Sequence, residues 1–168
     1  KTGTLTIGRP MVSAIDVHPP WTVAEVLSRA AAVEAGSGHL LARSVVDEAA
    51  QQGLVVPKPG HVRELPGQGV TGTVAGQHVA VGGSSFMATH YPGAMQDLEK
   101  MLASSDGLRA IVAIDGRGAG VIHYADELRP GLEAFFAGLH QLGVRRLALL
   151  SGDTSANAQA VAAAVGID

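Results

Sequence analysis

Residues 1–7 read Lys-Thr-Gly-Thr-Leu-Thr-Ile, and residues 147–153 read Leu-Ala-Leu-Leu-Ser-Gly-Asp. Residues 4–7 and 147–150 have the β-branched and apolar pattern of short strands, and the second run suits a parallel strand that is buried on both faces. In an open α/β sheet, ligands bind beyond the carboxyl ends of the strands, so we expect the two polar loops to meet at one edge. Lysine, hydroxyl and glycine residues are the types that position a phosphoryl group. The candidates are Lys1, Thr2, Thr4, Ser151 and Gly152.

The rest of the chain separates into two predicted parts. After Tyr124 the pattern alternates helix, strand and helix, with one apolar helix face made of Leu132, Phe135, Phe136, Leu139 and Leu142. That rhythm is typical of half of a doubly wound α/β sheet. The strand at residues 4–7 belongs to the same predicted sheet. We therefore predict one domain of residues 1–9 and 121–168, interrupted by an inserted α+β domain with an antiparallel sheet at residues 10–120.

Local signals predict the elements of the insertion. Thr22 and Glu25 have the spacing of a capping box that opens a helix, and Gly53 can end the helix that follows. The other expectations are a strand at residues 12–17, a hairpin turn at Gly76-Gln77, a helix through Met95, Leu98 and Leu102, and a hairpin around Asp115-Gly116.

Composition excludes several classes of function. The 168 residues are 46% hydrophobic and carry a net charge of −3, too small to indicate binding of nucleic acid. No stretch approaches the roughly 18–20 apolar residues of a membrane helix, and the first residues do not resemble a signal peptide. The absence of cysteine excludes disulfides and thiolate metal sites. We expect a soluble and monomeric polypeptide.

The two end motifs resemble those of P-type ATPases. Residues 1–6 are similar to the part of the phosphorylation loop Asp-Lys-Thr-Gly-Thr-Leu-Thr that follows its aspartate, and residues 151–153 resemble the Thr-Gly-Asp loop. The resemblance implies a haloacid dehalogenase-like phosphorylation domain, with the phosphorylated aspartate immediately before Lys1. We therefore expect that these 168 residues alone form no phosphoenzyme.

The middle of the chain resembles the nucleotide-binding domain of the heavy-metal-transporting subgroup. That subgroup has a Ser-Glu-His-Pro-Leu motif, and residues 37–41 read Ser-Gly-His-Leu-Leu. A Gly-x-Gly-hydrophobic turn appears at residues 67–70, and Gly-Gly at residues 82–83 stands where the family has Gly-Asn. The nucleotide-binding residues that the resemblance implies are Glu34, His39, Gly67, Gly69, Val70, Gly82 and Gly83.

The resemblance also implies a mechanism. The nucleotide-binding domain holds the adenine of ATP and swings on linkers near residues 8–12 and 118–126, which carries the γ-phosphate to the aspartate. Lys1 and Ser151 steady the phosphoryl group, the Thr2 carbonyl helps to hold Mg²⁺, and Asp153 shapes the phosphate environment. The implied partner is the remainder of the ATPase, including its membrane helices, and the implied location is the cytoplasmic side of the membrane. Copper, zinc, cobalt and cadmium all remain open as transported ions.

The residue types agree with this function when they are considered on their own. A neutral imidazole at a helix start can stack on adenine, and Glu34 can accept a hydrogen bond from the exocyclic amine. Gly67 and Gly69 leave room for a flat ring against the backbone. Each residue also has a structural explanation: a capping histidine, a solvated glutamate at a helix end, or a tight turn.

Two other classes of function remain open. The chain could belong to a phosphatase of the haloacid dehalogenase type, which has no reason to bind adenine, or to an interaction module that has lost nucleotide binding. Leu40 replaces the proline of the family motif, and Gly83 replaces its asparagine. Because Gly83 lacks a side chain that could hydrogen-bond the nucleotide, we expect weaker ATP binding than the full motif provides.

Overall fold

The computed structural model describes residues 5–104, 107–149, 159, 161–163 and 165–167. The candidate phosphate-loop residues lie outside this part of the chain; they are Lys1, Thr2, Thr4, Ser151, Gly152 and Asp153. The chain forms two compact units, one of residues 10–125 and one of residues 1–9 and 126–168.

The described residues form one sheet, six helices with defined bounds, and further helical residues at 159, 161–163 and 165. The strands are β1 (Thr6–Val17), β2 (Gly60–Leu65), β3 (Gly69–Val74), β4 (Gln77–Gly82), β5 (Arg109–Ile114) and β6 (Arg117–Leu128). The helices are α1 (Val23–Glu34), α2 (Leu40–Gln51), α3 (Ser84–His90), α4 (Pro92–Asp97), α5 (Glu99–Ala103) and α6 (Leu132–Gln141).

The sheet has the strand order β1-β6-β5-β4-β3-β2. The pairs from β2 to β6 are antiparallel. Strands β1 and β6 also run in opposite directions, because the His18 N–H donates to the Ala119 carbonyl and the Arg129 N–H donates to the Leu5 carbonyl. The boundary between the two compact units falls inside β1 and inside β6.

The larger unit buries both faces of its sheet. Side chains alternate along a strand, so neighbouring residues enter different cores. On β4, Val79 and Val81 pack with α1 and α2, whereas Ala80 packs with the layer formed by α3, α4 and α5. Strand β5 repeats this division with Val112 on the first face and Ile111 on the second.

The smaller unit has its own cluster around Phe136, Val165 and Ile167. The prediction of a single apolar face on α6 is only partly right, because Phe135 is 59% exposed and Leu142 is 84% exposed. Consecutive helical residues point about 100° apart, so Phe135 and Phe136 cannot share one face. Leu142 lies beyond the end of the helix, at its C-cap.

Most local predictions of the insertion are confirmed. Thr22 caps α1 in a complete capping box with Glu25. Gly53, just after α2, has a φ of 66°. The β5–β6 hairpin turns at Asp115 and Gly116, which both have positive φ, and the β3–β4 hairpin turns at residues 75–76, one residue earlier than predicted.

Several predicted boundaries are wrong. The strands predicted at residues 4–7 and 12–17 are the single strand β1, and the linkers predicted near residues 8–12 and 118–126 belong to β1 and β6. Polar residues and a glycine within β1 were therefore misinterpreted as the end of a strand. The strand continues through them because β1 pairs with β6.

Three further expectations are corrected. Helix α3 was not predicted, and the helix expected through Met95, Leu98 and Leu102 is broken at Leu98 into α4 and α5. Strand β6 continues to Leu128, beyond the boundary predicted at residue 120. In the predicted strand at 147–150, residues 147–149 are not in a strand and residue 150 is outside the described part.

The capping box gives a test of how α1 begins. The Glu25 N–H donates to the Thr22 hydroxyl oxygen at 3.3 Å, and Glu25 Oε2 accepts from the Thr22 N–H at 3.0 Å. We expect Thr22→Ala to lower the free energy of unfolding by about 1 kcal/mol in urea denaturation. Thr22→Ser, which keeps the hydroxyl, serves as the control and should stay close to the unsubstituted chain. Equal stability of all three proteins would contradict the capping role.

Candidate functional site

A cavity of about 290 Å³ opens at one end of the sheet, within the larger unit. Its walls come from the C-terminus of α1, the start of α2, the β2–β3 turn and the adjoining ends of β3, β4, β5 and β6. The polar, charged and glycine residues of its lining are Glu34, Ser37, His39, Glu64, Gly67, Gln68, Gly69, Gly82, Gly83, Arg109 and Tyr124. Its volume lies at the lower end of the roughly 300–1,000 Å³ of small-molecule sites.

Ser37 ties the turn between α1 and α2 to strand β2. Its hydroxyl donates to Glu64 Oε1 at 2.8 Å and accepts from the His39 N–H at 3.2 Å. The Ser37 N–H in turn donates to the carbonyl of Glu34, the last residue of α1. These contacts place Glu34, His39 and Glu64 around the same cavity.

His39 is the N-cap of α2, and its Nδ1 accepts from the Leu41 N–H at 3.2 Å. Accepting that bond requires a lone pair on Nδ1, so the neutral ring carries its proton on Nε2. The side chain is exposed. His39 therefore offers one ring face and one N–H donor to a ligand, while its other nitrogen caps the helix. Leu40, which replaces the proline of the resembling motif, is the first residue of α2.

Glu34 has the most perturbed carboxyl group of the site. Burial, and secondarily the charge of Glu64, raises its pKa from 4.5 to about 7. A carboxyl group that titrates near neutrality inside a cavity is typical of a functional site. When ionised it is a strong hydrogen-bond acceptor.

The sequence did not single out Tyr124, Arg109, Ser37 or Glu64 as site residues. Tyr124 on β6 is 8% exposed, and its hydroxyl has no hydrogen-bond partner among the residues that the structure describes. Arg109 on β5 donates to the Leu102 carbonyl at 2.9 Å. Both residues reach the cavity because β5 lies beside β4 and β6 lies beside β5, a long-range arrangement that no local pattern predicts.

The glycines of the site have structural reasons of their own. A Cβ at Gly82 would lie 2.5 Å from Phe86 Cδ1, and one at Gly69 would lie 2.6 Å from the Val81 carbonyl oxygen and 2.8 Å from the Phe86 ring. Gly67 has a φ of 72° in the β2–β3 turn. Close packing on Phe86 explains Gly69 and Gly82, and a left-handed turn explains Gly67. Gly67 and Gly69 are therefore required by the fold itself, in addition to any room they leave for a ligand.

Gly83 lines the same part of the cavity as Gly67, Gly69 and Gly82. It is the N-cap residue of α3, without a side-chain cap, and its N–H donates to the Gln68 carbonyl at 3.2 Å. An asparagine here would also cap α3, since asparagine is among the best N-cap residues. Position 83 can therefore affect both helix stability and the cavity.

The structure brings together all seven predicted nucleotide-binding residues. Glu34, His39, Gly67, Gly69, Val70, Gly82 and Gly83 line this cavity. The predicted phosphate-side residues and the predicted magnesium contact, Thr2, lie outside the described residues. Within the described part of the chain, no group of three or more His, Asp or Glu side chains could hold a metal ion.

The lining has the chemistry of a site for an uncharged ring. Two carboxyl groups and one guanidinium surround a floor that includes Val70, Val81 and Ala110. The carboxyl groups disfavour a phosphate at this position, since like charges repel in a partly desolvated pocket. A flat heterocycle with an amino group could bury its faces on the apolar floor and donate to a carboxylate.

The chain belongs to the haloacid dehalogenase-like hydrolase family, whose model matches residues 1–168. Within the P-type ATPases it is similar to heavy-metal transporters. It is 40% identical to the copper-exporting P-type ATPase of Mycobacterium leprae over 169 residues, covering 100% of this chain and 21% of that protein. The chain thus spans about a fifth of the length of this relative.

Solved structures give the same assignment. A zinc-transporting PIB-type ATPase matches 100% of this chain and 27% of its own, with 33% identity and a TM-score of 0.83. The N-domain of HMA8, a copper-transporting P-type ATPase, matches 68% of this chain and 99% of its own, with 28% identity and a TM-score of 0.61. The predicted family and fold class are confirmed.

The chain matches a cytosolic part of these membrane ATPases, as predicted. In the described part of the chain, no helix has the length and apolar character needed to cross a membrane.

The carboxyl group of Glu34 gives a pH-dependent test. We expect it to titrate near pH 7 in a carboxyl-carbon NMR titration, and Glu64→Gln should lower that pKa only in part, because burial is the larger cause. Because the folded pKa is raised, its contribution to stability is complete below about pH 4.5 and is lost as the pH rises through 7.

The matched control is Glu99→Gln, which removes an exposed glutamate from α5, on the other face of the sheet. It should leave the titration of Glu34 unchanged. Titration of Glu34 near the ordinary 4.5 in the unsubstituted protein would contradict the burial that the structure assigns to it.

Proposed function

We propose that the cavity binds the adenine of ATP. The single observation that supports this most strongly is the convergence of Glu34, His39, Gly67–Val70 and Gly82–Gly83 on one cavity. These positions are far apart in sequence. A histidine ring, a carboxylate acceptor and an apolar floor are also the groups that an adenine ring needs.

The charges of the lining orient the nucleotide in this proposal. The base lies toward Glu34, Glu64 and the apolar floor, since two carboxyl groups would repel phosphates. The triphosphate then extends out of the cavity, whose volume of about 290 Å³ is small for a complete nucleotide. His39 stacks on the base or donates to it through Nε2, while its Nδ1 keeps capping α2.

We further propose that the chain is the ATP-handling part of a heavy-metal P-type ATPase. Residues 10–120 would be its nucleotide-binding domain, and residues 1–9 and 121–168 part of its phosphorylation domain. The division into compact units near residues 9 and 125 supports these boundaries. The partner would be the remainder of the same ATPase, including the membrane helices in which phosphorylation would drive ion movement.

The phosphate side of the proposal rests on the sequence. Lys1, Thr2, Thr4, Ser151, Gly152 and Asp153 would hold the phosphoryl group, and the Thr2 carbonyl would contribute to a Mg²⁺ site. Mg²⁺ would neutralise charge on the transferring phosphate. That these 168 residues form no phosphoenzyme stays a prediction. The similar proteins named above transport copper or zinc, and the cavity contains nothing that distinguishes between these cargoes.

His39 gives the test of ATP binding by isothermal titration calorimetry. We expect His39→Ala and His39→Asn both to weaken ATP binding by about 5- to 150-fold, since stacking on an aromatic ring contributes about 1–3 kcal/mol per base. Asparagine retains a side-chain acceptor for the Leu41 N–H, so only the alanine variant should also destabilise α2. This pair separates the loss of a ligand contact from the loss of a helix cap.

His140→Ala is the control, because it removes an imidazole from α6, outside the cavity. It should bind ATP like the unsubstituted protein. Unchanged ATP affinity in both His39 variants would show that His39 does not contact the nucleotide. Failure of the unsubstituted protein to bind millimolar ATP would contradict the proposal and favour the interaction module.

A further inference from the structure

Tyr124 is the one described residue whose buried side-chain polar atom lacks a hydrogen-bond partner. Its ring packs in the same core as Ala110 and Ile122, and the residue is 8% exposed. Its backbone is held in place because the Tyr124 N–H donates to the Leu108 carbonyl at 2.9 Å. The side chain nevertheless lines the cavity. Tyr124 is therefore fixed at the wall of the cavity, with its hydroxyl shielded from solvent.

An unpaired buried hydroxyl is unfavourable in a protein that gains nothing from it. Phenylalanine would fill the same core volume without removing a polar group from water. The hydroxyl becomes favourable when a ligand supplies the missing partner. Packing thus accounts for the ring of Tyr124 and leaves its hydroxyl unexplained.

The protonation state makes this hydroxyl a donor. Burial, and secondarily the charge of Glu34, raises the pKa of the Tyr124 phenol. The group therefore stays protonated at neutral pH, beside a carboxyl group that accepts when ionised. The cavity offers one donor and one acceptor close enough to influence each other electrostatically.

We propose that the Tyr124 hydroxyl recognises the base by donating a hydrogen bond to the ring nitrogen N1 of adenine, while the Glu34 carboxylate accepts one from the exocyclic amino group. This inference rests on the proposed ATP-binding function. Adenine carries an acceptor and a donor side by side on this edge. A purine with a carbonyl in place of the amino group would direct that oxygen at the Glu34 carboxylate, so the same pair also selects against it.

The experiment compares ATP with 1-deaza-ATP, which has a C–H group in place of N1. The unsubstituted protein should bind ATP about two- to tenfold more tightly than 1-deaza-ATP, the range of one neutral hydrogen bond. Tyr124→Phe should weaken ATP binding by the same factor and leave binding of 1-deaza-ATP unchanged. A merely structural tyrosine would change both affinities together.

Tyr91→Phe is the matched control, since Tyr91 packs against the core of the opposite sheet face and does not line the cavity. It should preserve the preference for ATP. The melting temperature of Tyr124→Phe without nucleotide should be no lower than that of the unsubstituted protein, because only an unpaired hydroxyl is removed.

Each failure has a separate meaning. If the unsubstituted protein binds both nucleotides equally, the inference is overturned, even if Tyr124→Phe does not fold. If Tyr124→Phe keeps the full preference for ATP, the inference is overturned while the proposed function survives. If the unsubstituted protein binds neither nucleotide, both are overturned.

Discussion

The antiparallel pairing of β3, β4 and β5, with apolar side chains buried on both faces, is the constraint on which the rest of the larger unit depends. It leaves no room for a Cβ at Gly69 or Gly82, because Phe86 packs directly against the paired backbones. It also fixes the position of α1 and α2 on one face, and hence the turn that Ser37 ties to Glu64. The cavity is a consequence of where these elements end.

Local chemistry made part of this structure predictable. Thr22 and Glu25 form the expected capping box, and Asp115-Gly116 forms the expected turn, because these features depend on a few consecutive residues. The strand predicted at residues 147–150 is wrong for residues 147–149. An apolar run alone does not specify the neighbouring strand with which it must pair.

The residues of the candidate site also fall into two groups: those that the sequence identifies and those that only the fold brings to the cavity. Glu34, His39 and the glycines could be selected from the sequence because the family motifs mark them. Tyr124 and Glu64 could not, since each becomes a site residue only when β6 and β2 take their places relative to α1. The buried hydroxyl and the raised pKa of Glu34 are products of that long-range packing. They are also the features on which the proposed recognition of adenine rests.

The most direct test of the adenine-binding account is a nuclear Overhauser experiment on the isotope-labelled chain with ATP. The account predicts contacts between the adenine protons and the side chains of His39 and Tyr124, with amide shifts confined to the cavity. It also predicts that the cluster around Phe136 in the smaller unit is unaffected. Adenine contacts elsewhere on the chain, or no contacts at saturating ATP, would contradict the account.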